Sequence, residues 1–413
     1  MDTKKQDTII PITPSELSIK RVSSLMKITN SLLIENSELF EFCMKNPAFF
    51  FKLINRCYPL TLENIIEFKE FINFEYLSQN EDLTWSIEII EGFKDYWNWQ
   101  SLSSNDGIDW SIDLIEKYID NWIWVFLSGN IGLPWSVEFI EKYEDKWNWE
   151  YLSDNRGLPW SVEFVEKYKD KWNWEELSWN TGLPWSIEYI EKFEDKLDWG
   201  LLSCNRGLPW SNELIDKYKE KWQWGVYFTE FRLSYGLSGN NVLPWSVEFF
   251  EKYEDKWGWE FLSINVGLPW SVEFIEQYDD KWDWERLSDN KGLPWSIELI
   301  ELYEDKWDWY HLSRNEGLLW SVELIEKYKD KWSWAELSKN DGLPWSIELI
   351  EQYVDKWDWE YLSMNEFLPW SIDIIEKYKG NWNWDKLVNN LGLWANIFRN
   401  KFNEDFIKKL IRT

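Results

Sequence analysis

Carboxylates are the most abundant side chains in this sequence that could do chemistry. Asp and Glu number 74 against 44 Lys and Arg, which gives a formal net charge of -30. Two carboxylates held close together can act as a general acid and a general base. Here, however, Glu or Asp recurs in repeat after repeat at two positions, exemplified by Glu138 and Glu141. This recurrence indicates a charged surface, since a catalytic pair depends on one particular environment.

The groups that most often perform catalysis or bind metals are scarce. His311 is the single histidine, and Cys43, Cys57 and Cys204 are too irregularly spaced for a disulfide framework or a zinc site. The sequence contains no phosphate-binding glycine loop, dinucleotide fingerprint or nucleophile elbow. It therefore predicts a protein that is not an enzyme and that has no cofactor and no metal site.

Tryptophan is the other unusual residue, and its spacing defines a repeat. The Trp of the motif PWS recurs every 25 residues from Trp85, with one step of 35 after Trp210. Further series begin at Trp97 and Trp99, and the three series together hold 36 of the 37 tryptophans. The remaining one is Trp179. A fixed period of this length is typical of a stacked array in which each unit contacts its neighbours.

One repeat is predicted to contain two short helices. The copy from Pro134 to Leu158 is taken as the reference, and equivalent positions in other copies are named after it. Ser136 is a favourable N-cap for a helix A that is predicted to end near Lys146. Asn148 is a favourable N-cap for a helix B that is predicted from Trp149 to Asp154.

Two further local predictions concern polar residues of the same copy. Asn155 and Gly157 tolerate a positive φ angle, and they are expected to end helix B in that conformation. Glu138 and Lys142 have the i, i+4 spacing of an ion pair on the solvent side of helix A.

The predicted fold class is therefore all-α. We expect a right-handed α-solenoid, a superhelical array of about 13–14 two-helix repeats of 25 residues with helical caps at both ends. Its predicted parts are an N-terminal cap at 1–56 whose first ~12 residues are flexible, Trp-rich repeats at 57–224, an insertion at 225–236, further repeats at 237–394 and a C-terminal cap at 395–413. The plan resembles that of tetratricopeptide, ankyrin and HEAT arrays, which implies a binding role. A β-containing horseshoe is an alternative, since the period and the segment LSDN are similar to leucine-rich repeats.

The three tryptophans of each repeat are predicted to form the core of the array. A short helix pair needs large side chains to reach its neighbours, and a buried indole hides about 200 Å² of surface. Each indole N–H group then needs an acceptor, such as an Asn or Ser side chain or a backbone carbonyl.

The leading functional hypothesis is a non-enzymatic scaffold for protein–protein interaction. A position that differs between copies can confer specificity, and such positions occur on helix B, on the loop after it and in the insertion. The predicted partner-binding residues are Tyr151, Asp154, Trp179, Arg206, Phe228, Phe231, Arg286, His311, Arg314, Lys339, Tyr361 and Met364. The alternatives are a module that binds carbohydrates or small ligands on Trp platforms, and a purely structural assembly element.

Charge and composition restrict the partner and the compartment. An acidic array favours a basic protein partner and disfavours nucleic acid and anionic membranes. No apolar run reaches the roughly 18 residues of a membrane span, and the N-terminus lacks the apolar core of a secretory signal. We therefore expect an intracellular, cytoplasmic monomer.

Overall fold

The structure confirms an array of two-helix repeats. It is a computed structural model, and it describes residues 38–228, 233–399 and 401–412. The A helices are Leu62–Glu67, Ile87–Gly92, Ile112–Lys117, Val137–Lys142, Val162–Lys167, Ile187–Phe193, Asn212–Lys217, Val247–Lys252, Val272–Gln277, Ile297–Leu302, Val322–Lys327, Ile347–Gln352 and Ile372–Lys377. The B helices are Pro47–Cys57, Phe74–Leu77, Trp99–Ser103, Trp124–Gly129, Trp149–Asp154, Trp174–Trp179, Trp199–Cys204, Gly236–Gly239, Trp259–Leu262, Trp284–Ser288, Trp309–Arg314, Trp334–Lys339, Trp359–Leu362 and Trp384–Leu387.

The remaining elements lie at the ends of the array and in its insertion. Residues 38–45 are helical, and Lys69–Phe71 forms one 3-10 turn. The closing elements are the short helix Leu391–Leu393, the π-helix Trp394–Phe398 and the helix Glu404–Arg412. The strands Tyr227–Phe228 and Leu233–Ser234 pair antiparallel. This hairpin is the only sheet in the described residues, so the β-containing horseshoe is wrong. The first ~12 residues, which were predicted to be flexible, lie outside the described residues.

Helix B matches its predicted bounds, whereas helix A is shorter than predicted. Ser136 Oγ accepts the N–H of Phe139 at 3.1 Å, which confirms its role as N-cap. Helix A ends at Lys142 rather than near Lys146. The chain turns after it, with the N–H of Lys146 donating to the carbonyl of Tyr143 at 2.9 Å, and the indole N–H of Trp147 donates to the carbonyl of Ile140 at 3.1 Å.

The three tryptophan series contribute to the core to different extents. Trp147 is 5% exposed, whereas Trp135 and Trp149 are half-buried against the same core. All three indole N–H groups donate to backbone carbonyls: Trp147 and Trp149 to carbonyls of their own repeat, and Trp135 to that of Asn130 in the preceding repeat. The outer face of Trp149 is covered by the ammonium of Lys171, which lies 5.0 Å from the ring centroid. The tryptophans therefore join one repeat to the next.

A ladder of buried polar side chains forms the rest of the spine. Asn155 Nδ2 donates to the carbonyls of Ser128 and Asn130 in the preceding repeat, at 2.9 and 3.2 Å, and its Oδ1 accepts the N–H of Gly157 at 2.8 Å. Ser153 Oγ donates to its own helix and accepts a backbone N–H of the following repeat. Equivalent asparagines from 80 to 390 each donate to a carbonyl of the preceding repeat.

The ladder corrects the prediction that Asn155 and Gly157 end helix B with positive φ. Among the described residues, Gly236 alone has a positive φ, and Asn155 has a φ of -73°. Gly157 is needed for space instead. A Cβ at this position would lie 3.0 Å from the carbonyl oxygen of Ile131 in the preceding repeat. The loops after the B helices therefore stack on each other with almost no gap.

Replacing Gly267 by Ala should destabilise the protein by about 2 kcal/mol, because a backbone would have to move. The new Cβ would lie 2.3 Å from the carbonyl oxygen of Asn241. Gly380 offers a matched control, since a Cβ there meets nothing within 4 Å. Urea-induced unfolding of both variants checks the prediction. Equal stability of the two would contradict the close stacking of the loops.

The uneven spacing of the repeats bends the array. Successive B helices contact each other directly and approach more closely than successive A helices. Hydrogen-bonded backbones lie about 5 Å apart and packed helices about 10 Å apart. Neighbouring repeats are thus about 5 Å closer on the B side than on the A side. Across a layer of helices about 10 Å thick, this difference rotates each repeat by about 30° relative to the preceding one, so that about 12 repeats complete a circle. The 14 B helices are close to that number.

The two ends of the array meet, so the solenoid closes into a ring. Lys52 Nζ lies 3.0 Å from Asp385 Oδ1, although 333 residues separate them. Phe49 packs edge-on against Trp384 with centroids 5.5 Å apart, and it contacts Phe398 at 6.2 Å. Lys408 also pairs with Glu67 at 3.5 Å. The predicted caps therefore cover each other. The right-handed sense of the superhelix stays a prediction.

The closing unit is assembled from both ends of the chain. In the reference repeat, Trp147 contacts Trp124 of the preceding B helix and Phe139 of its own helix A. At the junction Phe49 takes the place of Trp147, since it contacts Trp384 of the preceding B helix and Phe398. Phe398 follows Trp394 at the same spacing as Phe139 follows Trp135. It therefore takes the place of the helix A residue in this unit. The N-terminal helix Pro47–Cys57 supplies the B side. We call this junction the seam.

Candidate binding site

The B helices and the loops after them form the inner circumference of the ring, since that side has the closer spacing. This surface, which we call the inner face, collects the positions that vary between copies. Tyr151 and Asp154 are exposed there, and with Phe126 and Arg156 they line a cleft of about 490 Å³. The predicted residues of this region thus lie together.

The insertion forms a wall beside this surface. Tyr227 Oη donates to Asp198 Oδ2 at 2.8 Å, and the Tyr227 ring lies over Gly200, where a Cβ would be 2.2 Å from it. Ser234 Oγ donates to the carbonyl of Gly200 at 3.1 Å. On the other side, the Tyr235 ring stacks on Phe261 of the next B helix, with centroids 4.8 Å apart. The hairpin therefore packs on both neighbouring repeats.

The insertion leaves the spine intact. The N–H of Leu237 donates to the carbonyl of Gln223 at 2.8 Å, as Leu152 does to Asn148 at 3.0 Å. Ser238 Oγ donates to the carbonyl of Trp224, as the serine of each regular repeat does. The ten extra residues are thus looped out after the first position of helix B.

A second cleft, of about 420 Å³, lies where the hairpin meets the inner face, and we call it the insertion cleft. Its lining includes Arg156, Trp179, Thr181, Cys204, Arg206 and Tyr235. Three features that break the repeat pattern converge here: the one tryptophan outside the periodic series, a cysteine and the insertion. Arg156 also lines the first cleft, so the two clefts adjoin.

The two arginines of the insertion cleft differ from the other arginines of the inner face. Arg156 and Arg206 are exposed, and neither forms an ion pair or hydrogen bond with a described residue. By contrast, Arg286 pairs with Glu260, and Arg314 makes two hydrogen bonds of 2.9 Å to Asp289. The side chain of Asp289 raises the pKa of Arg314 further. The cationic groups of the insertion cleft remain available to a ligand.

The other predicted residues on the far side of the ring take part in contacts within the chain. His311 Nδ1 lies 2.9 Å from Asp308, and Lys339 Nζ donates to Glu336 at 2.6 Å, which raises the pKa of the lysine. Lys339 also lies 4.0 Å from the ring centroid of Tyr361. Met364 is 40% exposed. These residues share the inner face but are not part of the lining of either of these two clefts.

Two of the predicted partner-binding residues, Phe228 and Phe231, belong to the insertion. Phe228 is 69% exposed on the hairpin, and Phe231 lies outside the described residues. The predicted set lacks Arg156, Thr181 and Tyr235. Arg156 and Thr181 occupy the same repeat position as Arg206, and Tyr235 belongs to the insertion, so the repeat spacing could have identified all three.

The opposite surface of the ring, formed by the A helices, is held by ion pairs between repeats. Lys117 pairs with Glu91 at 3.1 Å, and Lys142 pairs with Glu116 of the preceding repeat rather than with Glu138. Hydrogen bonds from Lys142 and Tyr143 lower the pKa of Glu116. Glu138 caps its own helix instead, and hydrogen bonds from its backbone N–H and from Ser136 lower its pKa. Of the two recurring carboxylate positions, the one exemplified by Glu116 is thus paired with a lysine of the following repeat, and the one exemplified by Glu138 is not.

Neither a metal site nor a membrane span is seen in the part of the chain that the structure describes. No three His, Cys, Asp or Glu side chains are grouped there as metal ligands. No described helix has the length and apolarity to cross a bilayer. Comparison with protein-family models, with curated proteins and with solved structures finds no match to this chain.

Proposed function

We propose that this ring is a non-enzymatic scaffold that binds a protein partner on its inner face. The observation that carries the proposal is the separation of the chain into constant and variable surfaces. The side chains that recur in each copy, such as Trp147, Ser153 and Asn155, form contacts between repeats. Residues that differ between copies are gathered on the inner face, where the two adjoining clefts lie.

The composition of the inner face supports a protein as the ligand. Tyrosine, tryptophan, methionine and arginine are enriched at protein interfaces, and Tyr151, Trp179, Met364 and Arg206 are on this face. A constant surface could not distinguish one partner from another. On the A-helix surface, carboxylates such as Glu91 and Glu116 are already paired with lysines of the following repeat.

Two observations weigh against the alternatives. A carbohydrate platform needs an open aromatic face, whereas the half-buried Trp149 and Trp284 lie beneath Lys171 and Lys306 of the following repeats. An assembly element that grows end to end needs unpaired ends, whereas the ends of this array cover each other at the seam.

The proposal is tested by charge substitutions on the two surfaces. A partner is first identified by affinity purification from the native cell, and its binding is then measured with purified proteins. Tyr151→Glu and Met364→Glu should each weaken binding at least tenfold, since these side chains are 46% and 40% exposed on the inner face. Neither should lower the Tm, because neither side chain is buried.

Ile297→Glu is the matched control, since Ile297 is 43% exposed on an A helix. It should leave both the affinity and the Tm unchanged. Equal loss of binding in the control, or full binding by both inner-face variants, would contradict the proposed function.

A further inference from the structure

We propose that the insertion cleft binds an acidic, extended segment of the partner protein. This inference rests on the proposed function and adds the chemistry of the bound segment. The sequence alone favours a basic partner, because the chain carries a net charge of -30. The described lining of the insertion cleft nevertheless contains two arginines and no Asp or Glu.

The arginines are suited to carboxylates. A guanidinium presents a planar fork of N–H donors that matches a carboxylate, and it is always charged. Arg156 and Arg206 are exposed and have no ion-pair partner among the described residues. Lys291, which occupies the same repeat position further along the ring, is already paired with Glu316 at 2.5 Å. Arg156 and Arg206 therefore differ from Lys291 in having no ion-pair partner among the described residues.

The spacing of the arginines indicates how the segment would lie. Arg156, Thr181 and Arg206 occupy the same position in three consecutive repeats. A Cβ on Gly182 would lie 3.1 Å from the Cα of Arg156, so these repeats are stacked as closely as the others. At about 5 Å per repeat, the backbones of the two arginines are about 10 Å apart. In a polyproline II segment, side chains three residues apart share a face and lie about 9 Å apart.

The other residues of the cleft offer apolar contacts to the same segment. Trp179 and Tyr235 are on its walls, and Leu233 of the hairpin is 47% exposed beside them. Thr181, between the two arginines, presents a hydroxyl group to the middle of the segment. The expected ligand has acidic side chains at every third residue and at least one apolar side chain between them.

The test measures binding of a fluorescein-labelled peptide of about nine residues with glutamate at every third position. The full-length ring should bind it at 0.15 M salt, a concentration at which the general repulsion between the two acidic molecules is screened beyond about 8 Å. Arg156→Gln and Arg206→Gln should each weaken binding about tenfold, and the double variant about a hundredfold. Lys291→Gln is the matched control and should leave the affinity unchanged.

Several results would overturn the inference. They are unchanged affinity in the double variant, an equal loss in Lys291→Gln, equal binding of a peptide with its glutamates consecutive, and stronger binding of an oligonucleotide or of inorganic phosphate than of the peptide. If none of these peptides binds but Tyr151→Glu still loses the purified partner, the acidic segment is wrong and the proposed function stands. If the peptide binds and the partner is retained by all inner-face variants, the proposed function fails.

Discussion

Replacing Asn180 by Leu is expected to lower the free energy of unfolding by about 4 kcal/mol. Asn180 is 0% exposed, and its Nδ2 donates to the carbonyls of Ser153 and Asn155 at 2.9 and 3.4 Å. Its Oδ1 accepts the N–H of Gly182 at 2.7 Å. Leucine would fill the space but leave these buried groups without partners, and each unsatisfied group costs about 1–3 kcal/mol.

The measurement is urea-induced unfolding followed both by circular dichroism and by tryptophan emission. Asn389→Leu is the control, because Asn389 is exposed and its side chain makes one hydrogen bond of 3.4 Å within its own repeat. That variant should change stability by less than about 0.5 kcal/mol. A loss as small in Asn180→Leu would mean that the buried asparagines do not hold the repeats together.

Replacing Phe49 by Asp is expected to open the ring at the seam. Phe49 is 7% exposed and touches Trp384 and Phe398. Loss of a buried phenylalanine costs about 3–5 kcal/mol, and burying a carboxylate in its place adds to that cost. The asparagine ladder does not span the seam, since Asn55 donates to the carbonyls of Phe51 and Phe71 at its own end. The seam should therefore separate while the other repeats stay folded.

Two measurements report this opening. Small-angle X-ray scattering should show a larger radius of gyration, and a zero-length carbodiimide cross-link between Lys52 and Asp385 should disappear. In the unchanged protein these side chains are 3.0 Å apart. Phe228→Asp is the control, because Phe228 is 69% exposed and far from the seam in sequence. An unchanged radius together with an undiminished cross-link in Phe49→Asp would contradict closure through these contacts.

Local features of the repeat could be predicted from sequence because they depend on neighbours in the chain. The N-cap at Ser136, the bounds of helix B and the burial of Trp147 are all confirmed. The predicted end of helix A was wrong, because the backbone leaves the helical conformation at Tyr143, where φ is -122° and ψ is 29°. Phe139, Tyr143 and Trp147 keep a helical spacing in the sequence, so the apolar pattern alone did not show this break.

Contacts between repeats were misjudged where one residue had a plausible use within its own repeat. Asn155 was assigned to ending a helix, and Lys142 to a pair with Glu138. The structure instead joins Asn155 to the preceding repeat and Lys142 to Glu116. The observed partners are 25 to 27 residues away, and they become neighbours only once the stacking distance between repeats is set.

The sequence by itself determined the repeat, its helices and the aromatic character of the spine, because periodic apolar spacing and capping residues act over short stretches of chain. It also marked the insertion and Trp179 as departures from the pattern. The tertiary structure alone decided that the array closes, that the ends complete one shared unit, and that these departures meet in one cleft with Arg156 and Arg206. Closure depends on a small difference in spacing between the inner and outer sides of each repeat, which becomes a full turn only when it is summed along the whole chain.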